Sequence, residues 1–261
     1  MMNILVLALA LLMGVPASGG FNLNPMDKVG IPDPILDQLG SLIYATKVKS
    51  CELWDRQADL DRVNAVWDKL VAAAPQTSVF KKAKAKSWKW ELALVEAPTV
   101  VDAEALPGGK IIVYTGAYAL AGKYPAQIAF LLGHEMAHAL GRHAKSRIDK
   151  RTQAAILSAV AGGKLNAAKL DPEVTLAAMA AMGVAYEGAV ATPFAKKLET
   201  EADHNALLLM AQAGYDPQAG VAFLKALGEK APKGKSSFLA DHPPVEARIA
   251  HIEKKMAQAT K

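Results

Sequence analysis

Five consecutive residues, His134-Glu135-Met136-Ala137-His138, carry the sharpest chemistry in this chain. They fall in a stretch that reads as helix over 125–143, where a four-residue step turns about 400°. His134 and His138 therefore project from one face, about 6 Å apart along the axis. Both imidazoles can then reach one zinc ion at roughly 2.0–2.1 Å. Glu135 projects beside them and can hold a water against such an ion without ligating it. Phe130, Leu131, Leu132, Met136 and Leu140 surround the five residues, so this helix is expected to be buried.

A catalytic zinc site takes a third protein ligand and leaves one position open for water. One common spacing places a third histidine three residues after the glycine, here Gly141, but that position is Ala144. His143 falls one residue early, and a helix continued to 143 points it away from His134 and His138. A carboxylate is the other choice. Glu199-Thr200-Glu201-Ala202-Asp203 lies in a helix expected over 196–213. Glu199 and Asp203 are again four residues apart, so one carboxylate could bind the ion while the other hydrogen-bonds a ligand histidine and fixes its tautomer.

The elements that must position these residues can be read coarsely from pattern. Apolar residues recur at helical spacing from Glu52 to Ala74, and Pro75 ends the run. Trp88, Trp90, Leu92 and Leu94 alternate with Lys89, Glu91 and Ala93, the period of a half-buried strand. Pro107-Gly108-Gly109 turns into a second strand, 110–115. After Tyr124 the pattern is helical over 125–143, 152–162, 174–190, 196–213, 217–228 and 244–257, with an exposed basic loop at 229–238. Residues 21–40, rich in Pro, Gly and Asp, read as irregular, and the apolar stretch 174–192 reads as a core helix. This pattern is α+β: a small antiparallel β-sheet packed against a mainly helical body.

Composition sets the outer limits. With 261 residues, 52% of them hydrophobic, the chain can bury a sizeable core, which excludes disorder. Cys51 is alone, which excludes an intrachain disulfide scaffold. A net charge of +5, spread along the chain, does not describe a nucleic-acid binder, though it is compatible with peripheral contact to a membrane. The twelve apolar residues from Ile4 to Val15 are too few to span a bilayer, which takes about 20. Followed by Pro16-Ala17-Ser18-Gly19-Gly20, they read as a secretory signal peptide over 1–19, which places the mature chain in a bacterial periplasm. A helical segment, 20–87, is then expected to pack on a catalytic domain, 88–261.

These motifs together resemble the M48 family of zinc metallopeptidases, the gluzincins of the Ste24, HtpX and Oma1 type. His134-Glu135-x-x-His138 with Glu199-x-Glu201-Ala202-Asp203 carries the resemblance. Ala105-Leu106-Pro107-Gly108-Gly109-Lys110-Ile111 and Val113-Tyr114-Thr115-Gly116 are similar to the family's strand and turn before the zinc helix. Asp241-His242-Pro243-Pro244, then Ala247-Arg248-Ile249, is similar to its His-Pro segment. Among family members the chain looks like the small exported bacterial type. The resemblance implies a zincin-like fold and one zinc ion per chain, held by His134, His138 and Glu199. Glu135 is then the general base, Asp203 orients a ligand histidine, and His242 is the candidate partner of the tetrahedral oxyanion. Asp102-Ala103-Glu104-Ala105 departs from the family's Asn-Ala-aromatic-Ala and puts an acidic pair next to the strand on which members pair extended substrate. The function implied is an exported zinc endopeptidase acting on unfolded or unassembled envelope proteins. The alternative is a periplasmic chaperone or assembly factor whose protease site is gated or silent.

Overall fold

A computed structural model describes residues 33–147, 191–230 and 244–259. The chain divides into two compact units, one formed by Pro32–Ala144 with Pro193–Lys261, the other by Met1–Ile31 with Lys145–Thr192. The signal segment, the helices expected at 152–162 and 174–190, the apolar stretch 174–192 as far as residue 190, and His242 lie outside the described residues.

Helix α1, Asp33–Ser50, corrects the expectation of an irregular segment up to residue 40. Pro34 stands in its first turn, where a missing N–H costs nothing, so the proline starts the helix rather than breaking it. Leu36, Gly40 and Tyr44 form its buried stripe at four-residue steps. Helix α2, Gln57–Ala73, follows the expected periodicity and buries Val63, Val66, Trp67 and Leu70. A 3₁₀ turn, Ala74–Gln76, carries Pro75 and closes it. The short α3, Ser78–Ala83, is capped by Thr77, whose Oγ1 accepts from the Phe80 N–H at 3.3 Å.

Strands β1 (Glu91–Val95), β2 (Ala103–Leu106) and β3 (Lys110–Tyr114) form one sheet in the order β1-β3-β2. β2 and β3 pair antiparallel through the Pro107-Gly108-Gly109 turn, where both glycines take φ near +80°. β1 pairs parallel to β3, so the sheet is mixed, and the antiparallel expectation holds for one of its two pairings. Alternation along a strand reports which face is buried, not the direction of its neighbour. Here residues 96–102 carry the chain past the end of β3, so β2 lands two strand spacings, about 9.6 Å, from β1. β3 then fills the slot. One sheet face, with Leu94, Ala103, Ile111 and Val113, joins the main core; the other, with Ala93, Val95 and Ile112, is covered by Tyr44 and Val48 of α1.

β3 runs directly into α4, Thr115–Ala121, and then α5, Pro125–Leu140. Every residue of α5 from Ile128 to Leu140 is buried, as expected for a central helix covered all round. It packs against α2, α3, α4, β2, β3 and a later helix, α7. Helices α6 (Ala191–Gln212), α7 (Gln218–Lys230) and α8 (Val245–Ala259) complete the described body. Phe130 of α5 meets Phe223 of α7 with the rings tilted at 49° and their centroids 5.8 Å apart, and Leu209 and Met210 of α6 join the same core. A buried side chain of this size contributes about 1.5–3 kcal/mol, so α5 is anchored well beyond its own propensity.

Candidate metal centre

His134 and His138 leave α5 one turn apart, with their Nε2 atoms 3.0 Å from each other. Glu199 arrives from α6 with Oε2 3.4 Å from both. Donors around a tetrahedral zinc with bonds near 2.05 Å lie roughly 3.3 Å apart. The three edges therefore outline one face of such a tetrahedron, and two imidazoles with one carboxylate form a catalytic zinc donor set. All three residues are buried, Glu199 completely. Among the described residues this is the group of His, Cys, Asp or Glu whose ligand atoms come close enough together to hold a metal ion.

Asp203 stands one turn beyond Glu199 on α6, with Oδ1 3.0 Å from His134 Nδ1. For Nε2 to offer a lone pair, Nδ1 must carry the proton, and Asp203 accepts it. Arg248 of α8 donates to both Asp203 oxygens, at 2.9 and 2.6 Å. Its guanidinium also lies 3.3 Å from His134 Nδ1, both groups directing protons at the same carboxylate. Burial works against the Asp203 anion, but Arg248 and His134 hold its carboxyl well below the usual range. Burial and Arg248 push His134 down, yet Asp203 and Glu199 outweigh them and raise it to about 9 before any ion binds. His138 goes the other way: burial first, then neighbouring His134 and His143, depress it well below 6.5 and keep that ring neutral. Glu135 is buried next to His134 on α5 and its charge reaches Arg248.

Of the site residues expected from sequence, His134, Glu135, His138, Glu199 and Asp203 come together, and His242 lies outside the described residues. Two residues escaped. Arg248 carried a legible signal, because it shares the buried stripe of α8 with Val245 and Ile252, and a charge on an apolar stripe requires a buried partner. His143 was placed on the wrong side. The helix ends at Leu140, Arg142 takes a left-handed conformation (φ 50°), and the turn brings His143 Nδ1 to 2.9 Å from His138 Nδ1.

The acidic departure at 102–105 does not point at the metal centre. On β2, Ala103 and Ala105 face the core that holds α5, whereas Glu104 faces α1, where it accepts from Lys47 at 2.5 Å and from Tyr114 Oη at 2.6 Å. Asp102 turns back on the chain and accepts from the Ala103 N–H at 2.9 Å.

Comparison with known proteins adds a second line. Residues 69–256 match the model of "Peptidase family M48". The mitochondrial metalloendopeptidase OMA1 of Arabidopsis thaliana is 35% identical over 170 residues, 65% of this chain and 31% of that protein. The corresponding protein of Schizosaccharomyces pombe is 32% identical, over 66% of this chain and 48% of its own length. The beta-barrel assembly-enhancing protease of Escherichia coli (strain K12) is 26% identical, over 60% of this chain and 33% of its own length. The chain thus spans between about a third and a half of the length of these relatives. The crystal structure of S. mikatae Ste24p aligns with 84% of this chain and 65% of its own at 14% identity and a TM-score of 0.40.

Proposed function

Because the chain belongs to peptidase family M48, we propose that it is a zinc endopeptidase, exported to the periplasm and acting on unfolded or unassembled envelope proteins. The triangle of His134, His138 and Glu199 carries the reading. Zinc bound there would supply Lewis acidity, activating water and polarising a peptide carbonyl. The chain's own residues supply the rest. Glu135, on the same helix and buried beside the ligands, takes the proton of the attacking water and delivers it to the departing amine. Asp203 holds the Nδ1 proton of His134, and Arg248 keeps Asp203 ionised. Among the described residues strand β2 is an edge of the sheet, and an extended peptide can add to such an edge by main-chain hydrogen bonds.

Export is supported by the apolar run from Ile4 to Val15, and the substrate class by the name of the Escherichia coli relative. Metal content and casein cleavage, measured on the purified protein beside Glu135→Gln, test the reading. Zinc near one per chain in both proteins, with cleavage in the wild type alone, is the expected result. Zinc in both with cleavage in neither would favour a chaperone or a gated enzyme. A folded wild type that takes up no zinc would overturn the metal centre.

A further inference from the structure

We infer that His143 is the positioning residue of the second histidine ligand: its neutral ring accepts the Nδ1 proton of His138 and so keeps the His138 Nε2 lone pair on the metal. The inference rests on the metal centre described above. Its starting point is a contact between two buried rings, His138 Nδ1 and His143 Nδ1 at 2.9 Å, with the rings nearly perpendicular at 85°. Two nitrogens that close must share one proton. Metal ligation through Nε2 leaves the proton of a neutral imidazole on Nδ1, so His138 is the donor and His143 the acceptor. His143 must then carry its own proton on Nε2, the atom that faces the Glu201 carboxylate at 4.0 Å.

The local backbone is built for this contact. Gly141 lies beneath the His143 ring, and a Cβ there would meet ring atoms at 2.3–3.0 Å. Arg142 adopts a left-handed φ of 50°, a conformation unfavourable for a side chain of its kind. Its guanidinium holds it there. The Nε and one terminal nitrogen donate to the Ala83 carbonyl at 3.2 and 3.1 Å, the other terminal nitrogen donates to Asp37 at 3.2 Å, and the group lies 5.0 Å over the Trp88 ring. The two ligand histidines are thus oriented by unlike partners, His134 by an ionised carboxylate and His138 by a neutral imidazole.

The test titrates metal-free wild type, His143→Leu, His143→Asn and Gly141→Ala with zinc against a competing chelator, and with cobalt while following its visible absorption. Loss of the acceptor in His143→Leu is expected to weaken zinc binding roughly 10–100-fold and to change the cobalt bands. His143→Asn, whose amide oxygen falls where Nδ1 stood, is expected to recover most of the affinity. Gly141→Ala keeps the histidine but displaces its ring and should weaken binding in the same way, which covers a His143→Leu protein that fails to fold. Equal affinity in wild type and His143→Leu would overturn the inference. Equal weakening in the Leu and Asn variants would also overturn it, because ring volume and not the acceptor would then matter. A wild type that binds neither ion overturns the metal centre itself, a failure distinguishable from both.

Discussion

At the scale of single residues, the pairing of Arg248 with Asp203 separates stability from function. A guanidinium 3% exposed is expensive to bury unless its bonds are made, and it makes two of them with one carboxylate. Arg248→Met takes the guanidinium from that buried carboxylate, leaving it the His134 N–H, and should destabilise the protein by about 3–5 kcal/mol. The double variant Arg248→Met/Asp203→Leu leaves no charge buried at this position and should regain most of that loss. It should still bind zinc roughly 10–100-fold more weakly than wild type, because the Nδ1 proton of His134 has lost its acceptor. Urea unfolding of the metal-free proteins reads the first effect, and zinc competition reads the second. If stability and affinity recovered together, the carboxylate would have no orienting role.

At the scale of elements, α5, which carries both histidines, inherits its position from what precedes it. Asp59 of α2 accepts from Tyr118 of α4 at 2.9 Å and from Arg62 at 2.7 Å, which ties α2 to the helix leading into α5. Burial opposes the Asp59 anion, but these hydrogen bonds hold its carboxyl below its ordinary value. A depressed carboxyl stabilises the fold fully above its unfolded value of about 3.9, and that contribution is lost as pH falls through the folded value. Asp59→Asn should therefore lower the melting temperature by about 1–3 °C at pH 7, with the gap from wild type closing toward pH 3. A gap that widened in acid would reverse the argument. The same scale shows what sequence could say. α2 was legible because periodic apolar residues report helix and face directly, and α5 because His134-Glu135-x-x-His138 sits in a long, nearly continuous apolar run. β2 was too short for a period, α1 began at a proline that looked like punctuation, and the parallel β1–β3 pairing depends on where a connection lands. His143 was hidden for a related reason: one left-handed residue reverses which way everything after it points, and Arg142 bears no mark of it in the sequence.

At the scale of the whole molecule, the ligands come from stretches of chain about sixty residues apart, His134 and His138 on α5 and Glu199 on α6. An ion that bridges them binds only the folded chain. At free zinc one hundred times its dissociation constant it should add about 2.7 kcal/mol of stability, roughly 5–10 °C in melting temperature for a chain of this length. Melts with and without a chelator should show that gap in wild type and not in Glu199→Ala; an equal gap in both would place the ion elsewhere. Folding also assembles a small electrical inventory from three helices: Glu135 on α5, Glu199 and Asp203 on α6, and Arg248 on α8, all buried. Counted at full ionisation, three carboxylates against one guanidinium leave a deficit of two. A divalent cation would make these four groups electroneutral together, whereas a monovalent one would leave them negative and a trivalent one positive. Held at His134, His138 and Glu199, such an ion would suit both the donor set and the charge of its surroundings.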